Sequence, residues 1–97
     1  MDDRYELNAV VFVWDAAKAR RNERKHGVGF EQAAQAFFDP FLHLVDAGRN
    51  EESRDAVIGY DTQGRLLFVV HVQFEHACIR IVSARKATTQ ERRTYDS

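Results

Sequence analysis

The densest hydrophobic pattern in the chain lies near its C-terminal end, in the runs Leu66–Phe74 and Ala77–Ser83. Both runs are rich in valine, isoleucine and phenylalanine, which are typical of strands, and only two residues separate them. That separation is too short for a helix or a crossover connection. The pattern therefore predicts an antiparallel hairpin at the centre of the fold.

The register of this hairpin decides which side chains share a face of the sheet. A two-residue turn at Glu75 and His76 places His71 opposite Arg80 and pairs valines with isoleucines on the other face. Glu-His is a poor tight-turn sequence, because the favoured turns need Gly or Asn at positive φ, and an odd-length loop would reverse the faces. With the two-residue turn, we expect His71 and Arg80 to lie together on one face.

Six further elements follow from hydrophobic spacing and capping residues. They are a strand at Ala9–Trp14, helices at Ala16–His26 and Phe30–Phe38, strands at Phe41–Val45 and Arg54–Tyr60, and a helix at Thr88–Tyr95. Asp15 and Gly27 are suited to cap the first helix, and Thr88 with Glu91 forms a capping box ahead of the last. An acidic loop is expected at Asp46–Ser53.

The element order β-α-α-β-β-β-β-α predicts an α+β fold, in which helices pack on one face of an antiparallel sheet. The other face would then be open to a ligand. We expect residues 1–97 to form a single domain, because a chain of this length has room for one modest core. Residues 9–95 would make up the folded part, with the polar segment Met1–Asn8 as a disordered extension.

The formal net charge of −1 argues by itself against a nucleic-acid-binding protein, but the charges are unevenly distributed. Basic residues crowd two segments, with Lys18, Arg20, Arg21, Arg24 and Lys25 in the first and Arg80, Arg85, Lys86, Arg92 and Arg93 in the second. Such segregation can create a positive surface on a nearly neutral protein. Lys18, Arg21 and Lys25 share one face of the predicted helix.

Cysteine content and hydropathy bear on the cellular compartment. Cys78 is the single cysteine and cannot form an internal disulfide, and no segment resembles a secretion signal. The longest apolar run, Leu66–Val70, is far shorter than the ~20 residues of a membrane span. We therefore expect a cytoplasmic protein with no membrane partner.

Many of these residues, in this order along the chain, resemble the sequence pattern of the BrnT toxins. The matching positions of the first half are Phe12-x-Trp14-Asp15, Lys18, Asn22, Lys25-His26-Gly27-Val28 and Phe30-Glu31-Gln32-Ala33. Those of the second half are Asp39-Pro40, Arg54, Ile58-Gly59, Gly64-Arg65-Leu66-Leu67, His71, Ile79 to Ala87, and Glu91-Arg92-Arg93-x-Tyr95. No single piece decides the matter, whereas the ordered set from Phe12 to Tyr95 is specific.

BrnT proteins are small bacterial ribonuclease toxins of type II toxin–antitoxin systems. The resemblance implies a RelE-like fold with a four- to five-stranded antiparallel sheet, two N-terminal helices and one C-terminal helix. It further implies a metal-independent endoribonuclease that uses no cofactor, stops translation and is held inactive by BrnA, a ribbon-helix-helix antitoxin. The complex would reach operator DNA through the antitoxin. The alternative is a non-catalytic module that only binds such a partner.

RNA cleavage without a metal needs a base for the ribose 2′-hydroxyl, cations for the phosphorane and an acid for the leaving oxygen. From the resemblance and the charge pattern, the expected catalytic residues are Lys25, His26, Arg54, His71 and Arg80. The expected RNA phosphate ligands are Lys18, Arg21, Arg85 and Lys86. His71 is the first candidate for the base or the acid, since the expected register puts it beside Arg80.

Each of these residues also has a structural interpretation. His71 could be a buried histidine bonded to a backbone carbonyl, Arg80 could pair with an acidic residue across the sheet, and Lys25 could be a solvated lysine. Trp14 is expected to anchor the core rather than to stack on bases.

A metal site is a further alternative, because His71, His76 and Cys78 are close in sequence. Three ligands on a strand tip, with no fourth at suitable spacing, are a weak zinc signal. We therefore expect no metal, and we expect the Cys78 thiol to be a small semi-buried side chain.

Overall fold

The computed structural model describes residues 1–48, 54–74 and 77–97. The strands are β1 (Asp2–Leu7), β2 (Val10–Asp15), β3 (His43–Asp46), β4 (Asp55–Tyr60), β5 (Leu66–Gln73) and β6 (Cys78–Lys86). The helices are α1 (Ala16–His26), α2 (Phe30–Gln35) and α3 (Thr89–Asp96), with a 3-10 turn at Ala36–Phe38. Most of the expected acidic loop, and the expected turn residues Glu75 and His76, lie outside the described residues.

The six strands form one mixed sheet in the order β1-β2-β6-β5-β4-β3. Neighbouring strands are antiparallel except β2 and β6, which run parallel over three residue pairs, from Val11–Cys78 to Val13–Arg80. The predicted α+β class is therefore confirmed. The finer expectation of a RelE-like antiparallel sheet with four to five strands and two N-terminal helices is wrong. An additional strand enlarges the sheet, and α1 and α2 come after two strands.

The N-terminal segment forms a strand, where a disordered extension was expected at Met1–Asn8. Its residues form β1, which pairs with β2 along its whole length through a turn at Asn8 and Ala9, where φ is +51° and +67°. The segment has few apolar residues, but two of them, Tyr5 and Leu7, pack against the hydrophobic core. Tyr5 packs on the Trp14 ring at a centroid distance of 5.9 Å, and this burial favours the strand.

The hydrophobic core lies between one face of the sheet, here called the inner face, and the helices α1 and α2. Its buried members are Phe12, Trp14, Val28, Phe30, Ala33, Ala34, Ala36, Val57, Leu67, Val69, Ile81 and Ala84. Trp14 is 5% exposed and meets Phe30 edge to face, so its expected role as a core anchor is confirmed. The opposite face of the sheet, the outer face, is covered only in part.

The register of the β5–β6 hairpin differs from the expected one. His71 pairs with Ile81 and Val72 with Arg80, because Phe74 bonds to Cys78 and three residues separate those two positions. This odd-length loop reverses the faces. The predicted juxtaposition of His71 and Arg80 is wrong, since the two side chains lie on opposite faces of the sheet.

Helix α3 packs against the end of β4 and is fixed by a hydrogen bond from its last turn. The Tyr95 hydroxyl donates to Asp39 Oδ2 at 2.6 Å, and the Tyr95 ring meets that of Tyr60 at 5.3 Å. Burial and the hydrogen bond to Asp39 raise the pKa of Tyr95 to about 12. The capping box of Thr88 and Glu91 is formed as predicted. No helix in the described parts of the chain has the length and apolar character needed to cross a bilayer.

Candidate functional site

A β-bulge in β6 shapes the outer face of the sheet. Val70 pairs with Ser83 but the next residue, His71, pairs with Ile81, so Val82 is an extra residue in β6. In a regular strand, Ser83 would lie on the same face as Ile81, two residues earlier, and would point toward the helices. The bulge therefore brings Ser83, and Arg85 two residues later, to the same face as Arg80.

A hollow of about 400 Å³ lies over this bulge on the outer face, and we call it the arginine hollow. It is lined by Ala47, Arg54, Phe68, Val70, Val82, Ser83 and Arg85. Arg54 precedes Asp55, which pairs with the inner-face residue His71, so alternation directs Arg54 to the outer face. The hollow thus combines an apolar floor with two guanidinium groups.

A second hollow, of about 370 Å³, adjoins the first and is called the helix hollow. It is lined by Lys18, Arg21, Asn22, Lys25, His26, Val82 and Ser83. Val82 and Ser83 belong to both hollows, so the bulge is the place where they meet. All four titratable residues of the helix hollow come from α1.

Helix α1 reaches this position because the pairing of β2 with β6 ends early. The last pair is Val13–Arg80, and α1 begins three residues after Val13 and runs beside the remainder of β6. Asp15 caps the helix by accepting the Lys18 N–H at 2.9 Å, and Gly27 ends it at a φ of +71°, as predicted.

The side chain of Asn22 joins α1 to β6. Its amide nitrogen donates to Ala84 O at 2.8 Å and to Val28 O at 3.1 Å, while Ala84 N donates to Asn22 Oδ1 at 3.1 Å. Ala84 stands between Ser83 and Arg85 in the strand. Asn22 therefore fixes the basic helix relative to the residues of the arginine hollow.

The orientation of Arg85 is set by two neighbours. Its guanidinium donates two hydrogen bonds of 2.8 Å to the Glu91 carboxylate and lies 4.4 Å from the centre of the Phe68 ring. The hydrogen bonds to Glu91 raise the pKa of Arg85, and although burial opposes the shift, the bonds from Arg85 and Thr88 lower the pKa of Glu91. Arg85 is therefore held as a planar cation at the edge of its hollow.

The two hollows carry charge of one sign. Among the described residues that line them, five are arginine or lysine and none is aspartate or glutamate. Because clustered cations raise the local concentration of anions, an anionic ligand would be attracted to the line where the hollows meet, although Glu91 offsets part of the charge of Arg85.

His71 is not part of this surface. It is 2% exposed, packs against the Phe37 ring at 4.8 Å and has Nδ1 3.2 Å from Val69 O. Burial lowers the pKa of His71 below its ordinary 6.5. This is the structural histidine that the sequence left open as the alternative, because His71 shares the helix-covered inner face of β5 with the buried Leu67 and Val69.

Arg80 and Lys86 also lie apart from the two hollows. Arg80 is on the outer face, but it donates a 2.6 Å hydrogen bond to Asp2 of β1, and this bond raises the pKa of Arg80. The alternative of an acidic partner across the sheet named Asp55 or Glu75, whereas the partner in the structure is Asp2 on the N-terminal strand. Lys86 is exposed and lines neither hollow.

Comparison with known proteins shows the family of the chain. The family model described as "Ribonuclease toxin, BrnT, of type II toxin-antitoxin system" matches residues 14–91, most of the chain. The chain belongs to the BrnT family. It is therefore related to ribonuclease toxins of type II toxin–antitoxin systems, and membership in such a system implies an antitoxin partner.

A solved structure shows the same fold. The crystal structure of the Brucella abortus ribonuclease toxin BrnT superposes with a TM-score of 0.60 at 19% sequence identity. The likeness covers 78% of the present chain and 94% of the Brucella chain. No curated protein sequence is similar enough to this chain to count as a match.

Three residues at the two hollows were not singled out from the sequence as functional. Ser83 reaches the outer face only through the bulge, Phe68 becomes a support for Arg85 only once the strands pair, and Asn22 appeared only as a family match. The basic residues Lys18, Arg21, Lys25, His26, Arg54 and Arg85 were expected at the site and line the two hollows.

The arrangement can bind a phosphodiester and move protons beside it. Arg54 and Arg85 offer guanidinium groups, which suit phosphate oxygens because they donate several hydrogen bonds in one plane. Lys25 and His26 stand at the end of α1 as groups that can carry a proton. These are the components that RNA cleavage by a ribose 2′-hydroxyl requires.

Proposed function

We propose that this BrnT protein is an endoribonuclease that cleaves RNA without a metal, at the junction of the arginine hollow and the helix hollow. The observation that carries the proposal is the convergence on Val82 and Ser83 of cations from α1, from β6 and from Arg54 just before β4, with no lining carboxylate among the described residues. The family match supports the reaction class.

In the proposed reaction, Arg54 and Arg85 bind the non-bridging oxygens of the scissile phosphate. They stabilise the additional negative charge of the phosphorane, because charge-assisted hydrogen bonds strengthen as that charge develops. Lys18 and Arg21 would bind neighbouring phosphates along α1. Their contribution is attraction to the backbone and carries no sequence information.

Proton transfer is assigned to His26 and Lys25. One of them removes the proton from the ribose 2′-hydroxyl as that oxygen attacks phosphorus, and a protonated group supplies a proton to the departing 5′ oxygen. The buried, inward-facing position of His71 leaves His26 as the histidine of the hollows. Because side chains cover all three roles, the proposal routes no step through a metal ion.

The test is RNA cleavage by the purified chain. End-labelled single-stranded RNA should be cut equally well in excess EDTA and in Mg²⁺, and the upstream fragment should end in a 2′,3′-cyclic phosphate. A 2′-deoxy residue at the cut site should block the reaction. Cleavage that EDTA abolishes, or that leaves a 3′-hydroxyl, would contradict the proposed mechanism.

We further propose that a BrnA-like ribbon-helix-helix antitoxin neutralises the toxin and links the complex to operator DNA. The type II family implies an antitoxin, and a DNA-binding partner would allow the pair to repress its own operon. Induced expression of the chain alone should arrest growth, and co-expression with a BrnA-like ribbon-helix-helix protein should relieve the arrest. Arrest that persists in its presence would contradict this partner.

A non-catalytic role remains the second candidate. The observation that favours it is that two expected catalytic residues are not available at the hollows, since His71 is buried and Arg80 is bonded to Asp2. The remaining cations could bind phosphates without transferring a proton. A purified chain that forms a tight antitoxin complex but leaves RNA intact would support this second role over the first.

A further inference from the structure

The Ser83 side chain occupies an unusual place in this fold. The bulge at Val82 carries it to the outer face, and it lines both the arginine hollow and the helix hollow. Bulges are frequent beside active sites, where they redirect a side chain that regular pairing would hide. Ser83 is the polar residue that the two hollows have in common.

The Ser83 hydroxyl is available to a ligand. It is half-buried and makes no hydrogen bond within the described residues, although a hydroxyl can donate one and accept two. Its surroundings are cationic, with Arg54 and Arg85 on one side and Lys25 on the other. A hydroxyl donor placed among cations suits an anionic oxygen.

We infer that Ser83 binds the scissile phosphate of RNA by donating a hydrogen bond to one non-bridging oxygen. The inference rests on the proposed ribonuclease function and adds a neutral donor to its cations. The phosphodiester would span the bulge, with one non-bridging oxygen toward the arginine hollow and the ribose toward Lys25 and His26. Ser83 forms no bond to phosphorus, and the attacking group stays the ribose 2′-hydroxyl.

The substitution that tests this assignment is Ser83→Ala. Because a hydrogen bond to a charged group is worth about 1.5–3 kcal/mol, kcat/KM for a short single-stranded RNA should fall about 10- to 100-fold. Ser83→Thr keeps the hydroxyl on a strand-favouring side chain and should recover most of the lost activity. Thr89→Ala, which removes an exposed hydroxyl outside both hollows, should leave the rate unchanged.

A phosphorothioate substrate separates contact with the phosphate from a purely structural effect. Sulfur accepts hydrogen bonds poorly, so replacing the oxygen bound by Ser83 should slow the wild-type protein for one diastereomer. The same replacement should slow Ser83→Ala much less, since that contact is already lost. Equal thio effects in both proteins would overturn the assignment.

Binding of RNA with 2′-O-methyl riboses provides a readout that does not depend on cleavage. If the wild type binds this RNA without cutting normal RNA, and Ser83→Ala binds it more weakly, the ribonuclease proposal fails while the phosphate contact stands. If Ser83→Ala cleaves and binds like the wild type, the contact fails and the ribonuclease proposal stands. A wild type that neither binds nor cleaves RNA overturns both.

Discussion

The side chain of Asn22 pairs with the backbone of Ala84 as a neighbouring strand would. One donated and one accepted hydrogen bond, of 2.8 Å and 3.1 Å, join the two residues, and a third bond from Asn22 reaches Val28. These contacts occur where β2 has ended and β6 continues. A single amide thus holds the basic helix against the strand that presents Ser83 and Arg85.

Replacing Asn22 with leucine should destabilise the protein. The change leaves the N–H and C=O of Ala84 without these partners in a buried place, and an unsatisfied buried group costs about 1–3 kcal/mol. Urea denaturation should show a loss of free energy of unfolding in that range. The exposed Gln90→Ala on α3 serves as a control and should change it little. A stable Asn22→Leu protein would show that packing alone holds α1.

Local signals in the sequence predicted the fold well, and long-range ones did not. Asp15, Gly27 and the Thr88–Glu91 box ended the helices as expected, because capping depends on residues a few positions apart. The register of β5 and β6 depends on loop length and on the bulge at Val82, which are set by packing of the whole sheet. The face of every side chain in β6 follows from those two features.

For the candidate site too, the sequence predicted the residues that are close along the chain and missed the contacts between distant segments. The cations of α1 could be grouped from helical spacing alone, and they do line one hollow. The sequence left the position of His71 open, because it did not show which face of β5 the helices cover and because a one-residue change of register separates His71 from Arg80. The partner of Arg80 was not predicted either, since Asp2 lies 78 positions away in a segment whose polar composition did not indicate a strand.

The inward position of His71 predicts a pH dependence of stability. Its folded-state pKa is below 6.5, so as pH falls through about 6.5 the unfolded chain takes up a proton that the folded one does not. The free energy of unfolding should therefore drop toward lower pH, by at most about 1.4 kcal/mol per pH unit, until the folded-state pKa is passed.

Denaturation series for the wild type and His71→Leu between pH 7.5 and about 5 would measure this effect. The variant should lose this part of the pH dependence and should still cleave RNA under the proposed function, because His71 lies on the inner face. A folded His71→Leu protein without cleavage activity would indicate that His71 is needed for catalysis, against this prediction.

The contacts of Arg85 with Glu91 and Phe68 predict that lysine cannot replace it. Arg85→Lys keeps the charge but loses the two-pronged contact with Glu91 and the flat contact with Phe68, so the phosphate ligand would be misplaced. RNA cleavage should fall about 10-fold or more. Arg92→Lys, on the adjacent helix and outside both hollows, provides the matched control. Equal activity of the two variants would indicate that Arg85 acts only as a point charge.

The most direct test of the account compares cleavage rates for Lys25→Ala, Arg54→Ala and Arg20→Ala on one labelled RNA in EDTA. Lys25 and Arg54 line different hollows, whereas Arg20 lies on the same helix but outside both. A site at the junction predicts that the first two variants lose about 100-fold in rate, as removal of a proton-transfer group or a phosphate ligand does, and that Arg20→Ala keeps its rate. Undiminished cleavage by Lys25→Ala and Arg54→Ala, with both proteins folded, would contradict it.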